Sequence, residues 1–600
     1  MKNTINKKIL FGLFMGAVAF TDVTAESHPI LENVYDRKTT TLNGYWNRLV
    51  DPLESGYWDY RKKPNPEGFF KDVKVDNWKS FKEYSFDDAP TLNVPGDWNT
   101  QEEKLYYYES TVWYKKTFNY TPTDEKLFLY FGAVNYDAKV YVNGTFVGEH
   151  EGGYTPFNFD ITSVAKPGEN FVIVKADNHR RPDAVPTDNF DWWNYGGITR
   201  DVMLVHLPQS YIEDYKVQLK KGQADRLEVS IKLNGKKLSQ KVRLEIPELK
   251  FAKEFQTDNN GTVNAEIKLK PELWSTENPK LYDVRLIAQT DRVDDKIGFR
   301  TIETRGREIL LNGKPIFLKG ISIHEEAPLR SSRAHSLEDA RTLLGMAQDL
   351  GCNFVRLAHY PHNENMVREA ERRGLLVWSE IPVYWTIAWE NPATYQNAEN
   401  QLTEMIRRDK NRASVIIWSI SNETPHGEAR NLFLSNLSKK ARSLDDTRLI
   451  SMAMERSQKD ERTQIIEDPM NEFVDVISFN QYLGWYDGNW EKVDKAQWEY
   501  AYDKPLIISE NGGGALFGKH GPDTERWTEE YQETLYRKTF EMYDRMPSLS
   551  GTSPWILMDF RSSKRLLPTI QKDFNRKGLY NEQMQKKKAF YVVKEWYEKK

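Results

Sequence analysis

Val415-Ile-Ile-Trp-Ser-Ile-Ser-Asn-Glu423 is a nearly continuous apolar run that ends in an amide and a carboxylate. A strand with one wet face would alternate; one without alternation is buried on both faces, as in a parallel sheet covered by helices. Pro505-Leu-Ile-Ile-Ser-Glu510 repeats the pattern, apolar until its polar end. Upstream, residues 337–350 have helical spacing and Asn353-Phe-Val-Arg-Leu357 reads as a buried strand. Residues 363–373 are helical again and stop at Gly374, and Leu375-Leu-Val-Trp-Ser379 is the next strand. Strands alternating with helices from residue 303 to 600 predict a closed (β/α)8 TIM barrel. Such barrels place their chemistry at the C-terminal ends of the strands, so the residues that end these runs are the ones to read.

The chain before the barrel is different. Residues 26–208 hold short alternating runs of aromatic and β-branched residues separated by turns, the signature of a β-sandwich. Lys139-Val-Tyr-Val142, Asn143-Gly144 and Thr145-Phe-Val147 predict a hairpin, because Asn-Gly supplies the positive φ angles of a type I′ turn. Residues 209–302 repeat the habit on a smaller scale. Leu227 to Leu233 alternates, Asn234-Gly235 is expected to turn and Leu281 to Ala288 alternates again, which fits an immunoglobulin-like sandwich. At the N-terminus, Lys2, Lys7 and Lys8, the apolar run Ile9 to Phe20 and Val23-Thr-Ala25 read as a signal peptide over residues 1–25, cleaved near Ala25. The expected location is therefore periplasmic or secreted.

Six hundred residues at ~150 per domain would give about four domains, fewer where one is a barrel. The 84 Lys+Arg against 88 Asp+Glu leave a net charge of −4, too balanced for a dedicated nucleic-acid or acidic-membrane binder. A mean hydropathy of −0.71 and 29% charged residues suit a globular chain with no membrane span beyond the N-terminal run. One cysteine, Cys352, excludes an intramolecular disulfide and a zinc site of several thiolates, and nothing calls for a metal or other cofactor. The 18 Trp hint at carbohydrate, because the C–H face of a pyranose packs on an aromatic ring.

Glu423 and Glu510 carry the chemistry. Two carboxylates at a barrel mouth repel in low dielectric, so one can stay protonated while the other ionises. Glycosidic bond cleavage needs that division: an acid for the leaving oxygen, and a nucleophile or base on the other face. Either Glu alone reads equally well as a helix cap or loop ion-pair partner; two on apolar barrel strands favour chemistry.

The chain resembles glycoside hydrolase family 2, and within it the bacterial β-glucuronidases, over nearly its whole mature length. The resemblance rests on Val94-Pro-Gly-Asp-Trp98, Gly152-Gly-Tyr-Thr-Pro-Phe157 and Asn194-Tyr-Gly-Gly-Ile-Thr-Arg200. It continues through Ile323-His-Glu325, Arg356-Leu-Ala-His-Tyr-Pro361, Trp418 to Glu423, Ser509-Glu510 and Trp527-Thr-Glu-Glu-Tyr-Gln532. It implies a sugar-binding jelly roll, an immunoglobulin-like sandwich and a catalytic TIM barrel, in that order. Glu423 corresponds to the family's general acid/base and Glu510 to its nucleophile, a retaining pair expected about 5–5.5 Å apart. Asn422 would bond the sugar 2-OH, against the plainer reading of a barrel-rim cap. Tyr482 and Tyr486 lie in the family's strand-end tyrosine segment, where a phenol can orient the nucleophile. Gln481 and Leu483 stand where glucuronidases usually show Arg and Tyr. His324 and His359 match pocket histidines and Trp555 the aromatic floor; each is alternatively an ordinary core residue. Asp191 corresponds to a residue that reaches from the first sandwich to sugar hydroxyls.

The resemblance also bears on which sugar. A glucuronide differs from a glucoside by a carboxylate at C6, which requires a fixed cation and a donor. Asn575-Arg-Lys577 supplies the family's Asn-x-Lys pattern, with Lys577 on the carboxylate and Asn575 beside it; the competing reading is a solvated basic run from Lys572 to Lys588. Arg561 or Arg565 could serve as well or instead. The expected activity is an exo-acting retaining β-glucuronidase on a carbohydrate substrate, with no nucleic-acid or membrane partner and a homo-oligomer left open. The nearest alternatives are a family 2 β-galactosidase or β-galacturonidase and, in another class, a noncatalytic carbohydrate-binding protein.

Overall fold

The computed structural model describes residues 29–74, 83–546 and 548–600; the expected signal peptide lies outside them. The first sandwich packs a six-stranded sheet against a four-stranded one, with Trp46, Trp98, Tyr114, Leu129 and Val174 among the side chains sealed between them. Its expected hairpin is present: Asp137–Val142 pairs with Thr145–Glu151, and Asn143 and Gly144 take φ of 52° and 75°. The second sandwich has sheets of three and four strands. Here one expectation needs correcting. Asn234 and Gly235 do not form the turn; the strand Arg226–Gly235 runs through both and pairs them with Tyr211 and Ser210. Pairing along the neighbouring strand outweighs the local Asn-Gly preference, and the chain bends just afterwards.

The barrel sheet closes on itself. Its strand order begins at Leu318–Lys319 and ends at Ser322–Ile323, two short pieces separated by Gly320 and Ile321. Leu318–Lys319 pairs in parallel with Leu549–Thr552, and Ser322–Ile323 with Phe354–Leu357, so one interrupted strand joins the two edges. Between them lie Leu376–Glu380, Val415–Asn422, Leu449–Met454, Ile477–Asn480 and Leu506–Glu510. Every residue of Val415–Asn422 and Leu506–Glu510 is buried, as the unbroken apolar runs require.

Local signals set the helix ends. Ser336 and Asp339 make a reciprocal capping box on Leu337–Asp349. Asn363 caps Glu364–Arg373, and Gly374 ends it at φ 76°, where a Cβ would sit 2.5 Å from the Thr276 carbonyl. The barrel thus closely approaches the loop between strands Thr262–Lys268 and Tyr282–Ile287 of the second sandwich. Trp274, fully buried, adds a bond from its indole N–H to the Glu371 carbonyl at 3.0 Å.

The first sandwich is joined to the barrel mouth by a buried ion pair. Arg200 donates to Glu325 at 3.0 Å, to the Tyr154 carbonyl at 2.6 Å and to the Pro361 carbonyl at 2.7 Å. Burial alone would raise the Glu325 carboxyl; the charge of Arg200 and further donors bring it below the ordinary range. Replacing Arg200 by Met leaves a buried carboxylate without its main partner. We expect a loss of about 3–5 kcal/mol, the cost of breaking a buried pair on one side. Denaturant unfolding followed by tryptophan fluorescence measures it, and an unchanged midpoint would show that this contact does not hold the domains.

Candidate active site

Two neighbouring strand ends begin the site. Arg356 sits inside the apolar strand Phe354–Leu357, and because successive side chains alternate, its guanidinium points into the barrel while its neighbours pack outward. It is fully buried. One of its nitrogens donates to Glu510 Oε1 at 2.6 Å; the other reaches Glu380 at 2.9 Å and Asn422 Oδ1 at 2.8 Å. Glu380 ends the next strand and also accepts from the Trp378 indole at 2.8 Å. Burial alone would raise the Glu380 carboxyl, but Arg356, His359 and Trp378 reverse this and hold it at about 2. Glu380 is therefore a permanent anion that balances Arg356.

Glu510 ends Leu506–Glu510 and is buried. Its second oxygen accepts a bond from the Tyr482 hydroxyl at 2.7 Å, so donors on both oxygens fix the rotation of the carboxylate. His359 Nε2 lies 3.7 Å from Oε1, while its Nδ1 faces Glu380 at 3.1 Å. That second contact orients the ring.

Glu423 follows Val415–Asn422 directly and takes φ 48°. It is half-buried, and Oε2 accepts a bond from the Trp385 indole N–H at 2.9 Å. Its carboxyl is raised to about 7, first by loss of water around it and then by the negative charge of Glu510. The two acids thus differ in environment: Glu510 is clamped by donors, and Glu423 keeps its proton near neutrality.

Asn422 Oδ1 is taken by Arg356 and by Asn480 Nδ2 at 3.2 Å, leaving its buried Nδ2 without a protein partner. A donor left over beside Glu510 suits a sugar hydroxyl. His324 is similar: Nδ1 meets the Tyr360 hydroxyl at 3.1 Å and Nε2 is unpartnered. Burial, then nearby positive groups, hold His324 well below its ordinary value, so the ring is neutral. Trp555 is buried and stacks on His359 with centroids 4.7 Å apart.

The opposite wall holds a cation. Lys577 is buried, donates to the Tyr486 hydroxyl at 2.7 Å and lies 4.7 Å from the Tyr486 ring centroid. Among the described residues no carboxylate lies within ion-pair distance of it. Asn575 is buried, and its Oδ1 accepts from the Lys577 backbone N–H at 3.2 Å. The turn carrying both is packed tightly: a Cβ on Gly578 would meet the Asp559 backbone nitrogen at 2.2 Å. Fully buried Lys587 pins that turn from beneath through Asp559 at 2.7 Å and the Arg576 carbonyl at 3.1 Å. Gln532, from the Trp527–Gln532 motif, bonds the carbonyls of Gly513 at 2.8 Å and Gly578 at 3.3 Å. It couples the loop after Glu510 to the loop of Lys577.

Asp191 arrives from the first sandwich, yet its carboxylate is occupied by Arg565 and by the Ser562 hydroxyl at 2.6 Å. Arg561 is engaged elsewhere, with the Ser331 carbonyl at 3.0 Å and the Tyr106 hydroxyl. The sequence pattern alone assigns no work to Arg356 and does not reveal Glu380, Trp385 or Asn480. A charge inside an apolar strand and an acid ending the next one were the available signals for the first two; Trp385 had none. Cavities of about 680 and 600 Å³ line the first sandwich and its contact with the barrel, away from these acids.

Three family descriptions match in order along the chain. Residues 54–208 match the glycosyl hydrolases family 2 sugar binding domain, 210–300 the family 2 domain that follows it, and 302–600 the family 2 TIM barrel domain. The chain belongs to glycoside hydrolase family 2. This family 2 hydrolase is similar to the β-glucuronidase of Streptococcus agalactiae, 28% identical over 82% of this chain and 88% of that protein. The human β-glucuronidase is 27% identical over 94% and 91% of the two chains. Among solved structures, an uncultured Clostridium sp. β-glucuronidase superposes with a TM-score of 0.79 at 27% identity, over 95% of this chain and 99% of that one. An Eisenbergiella tayi β-galacturonidase does so with 0.76 at 26%, over 96% and 98%.

The coupling between the acids is testable. If Glu510 raises Glu423, Glu510→Gln lowers the Glu423 titration midpoint from about 7 toward the ordinary carboxyl range. Carbon-13 NMR of labelled glutamate side chains reads this directly; an unmoved midpoint would remove the charge coupling.

Proposed function

We propose that this hydrolase is an exo-acting retaining β-glucuronidase, which removes terminal β-D-glucuronic acid through a covalent glycosyl-enzyme. The observation that carries the reading is Lys577: a buried ammonium with no carboxylate partner among the described residues, beside two tyrosines, one of which bonds Glu510. A buried cation is costly unless an anion completes it, and a sugar carboxylate at C6 is such an anion. Two of the solved relatives are a β-glucuronidase and a β-galacturonidase, and glucuronides and galacturonides share that carboxylate and differ at C4.

In this mechanism protonated Glu423 donates to the glycosidic oxygen while Glu510 attacks the anomeric carbon. Tyr482 and Arg356 hold the attacking carboxylate, and Asn422 Nδ2 meets the 2-OH. Once Glu510 is esterified its charge is gone, so the repulsion that raised Glu423 falls away. Glu423 is then better suited to take a proton from the water that cleaves the ester. His324, His359 and Trp555 line the sugar, and Asn575 supports Lys577 at the carboxylate end. Asp191 would reach a hydroxyl by sharing itself between substrate and Arg565.

Wild-type protein should release the chromophore from an aryl β-D-glucuronide faster than from the matching galacturonide, and far faster than from the galactoside. Lys577→Ala should cut kcat/KM on the glucuronide by roughly 10- to 100-fold, a lost charge-assisted contact, with a smaller effect on neutral glycosides. A 2-fluoroglucuronide should label Glu510, found by peptide mass. Equal loss on all sugars, or no adduct, would overturn the substrate or the mechanism respectively.

The N-terminal segment supports export, and we propose a periplasmic or secreted enzyme. N-terminal sequencing of protein from the native host should begin near Glu26; retention of Met1 would refute cleavage.

A further inference from the structure

The acid defines a second side of the pocket. Glu423 hands its proton to the oxygen of the departing group, so that group leaves past the side chains that flank Glu423. Trp385 is one of them. Its backbone N–H donates to the Asn422 carbonyl at 2.9 Å and its indole N–H to Glu423 at 2.9 Å, which locks the side chain to the strand end carrying the acid. The residue sits at φ 55°, an uncommon conformation for a tryptophan that these contacts hold in place. It is half-buried, with Tyr384 packed beside it at 4.5 Å between centroids.

A cation stands over this ring. The Lys564 ammonium lies 4.7 Å from the Trp385 centroid and is tethered by Asn189 Oδ1 at 2.5 Å. Lys564 is exposed, and no carboxylate among the described residues lies within ion-pair distance of it. Its neighbours are committed: Arg565 to Asp191, and Arg561 to Ser331 and Tyr106. Three separate segments therefore converge on the acid side of the pocket, one from the barrel, one from the C-terminal loop and one from the first sandwich. They leave an aromatic surface and an uncompensated positive charge.

We propose that Trp385 and Lys564 form a leaving-group subsite for an anionic sugar, one carrying a sulfate or a carboxylate, to which the terminal uronic acid is linked. This rests on the β-glucuronidase reading. The sugar's C–H face would lie against the indole and its anion would meet Lys564. The substrate then carries one anion at each end, matched by Lys577 and Lys564, while Glu380 and Glu510 between them face Arg356 and the developing positive charge at the anomeric carbon. An aglycone of this kind explains why an exposed lysine is held over the ring next to the acid instead of being paired with one of the chain's many carboxylates.

The test compares three synthetic β-glucuronyl disaccharides whose second sugar is neutral, sulfated or a uronic acid, with an aryl β-glucuronide as reference. At low salt, kcat/KM for at least one anionic disaccharide should exceed that for the neutral one by about fivefold, the scale of one exposed ion pair. The sulfated and uronic acid arms tell which anion is read. The preference should vanish in Lys564→Ala, invert in Lys564→Glu, and shrink as ionic strength rises to about 0.5 M, where screening shortens the reach of the charge. Equal rates on charged and neutral disaccharides, or a preference that survives Lys564→Ala, overturn this inference while turnover of the aryl glucuronide leaves the glucuronidase reading intact. Failure to cleave any glucuronide overturns both.

Discussion

Arg356 is a full positive charge with no exposure to water, facing the inside of the barrel. A guanidinium in that position is tolerable only when anions and acceptors surround it. Glu380, Glu510, Asn422 and His359 do so. Because Arg356 spans three strand ends, Glu510, Asn422 and His359 are set by one side chain. Asn422 illustrates the consequence: its oxygen is consumed by Arg356 and Asn480, so its nitrogen is the atom left for a ligand.

The same arrangement separates two chemically identical carboxyls. Glu510 has a donor on each oxygen, whereas Glu423 receives its bonds from the neutral Trp385 and Asn480 and feels Glu510 as a like charge. Loss of water around Glu423, with that like charge, raises its carboxyl to about 7. Distance along the chain is irrelevant to this. The two strands that end in these residues are separated in the sheet by two others, Leu449–Met454 and Ile477–Asn480, and they meet only because the sheet curls closed.

Rigidity around Lys577 comes from outside the pocket. Lys577 lies on a turn with no space for a side chain at Gly578, braced by Lys587, Asp559 and Gln532. The first sandwich contributes a wall through Trp192, whose ring lies 5.6 Å from His359 and 5.1 Å from Tyr384, and through the Asp191–Arg565 pair. The buried Arg200–Glu325 contact keeps that wall in register with the barrel.

The sequence by itself determined the barrel and the two acids, because a strand buried on both faces must be apolar throughout and must show its polar end. It also determined the type I′ hairpin at Asn143-Gly144, where backbone sterics act over two residues. The second Asn-Gly pair marks the limit: at Asn234-Gly235 strand pairing with distant Tyr211 and Ser210 prevailed over the same local preference. Tertiary structure alone decided that Arg356 faces inward toward Glu380, that Trp385 touches the acid, and that Arg565 rather than Arg561 meets Asp191. Those outcomes depend on how a closed sheet rotates its side chains and on loops from two domains meeting at one mouth. Such contacts are long-range and electrostatic, and no periodicity within a single segment encodes them.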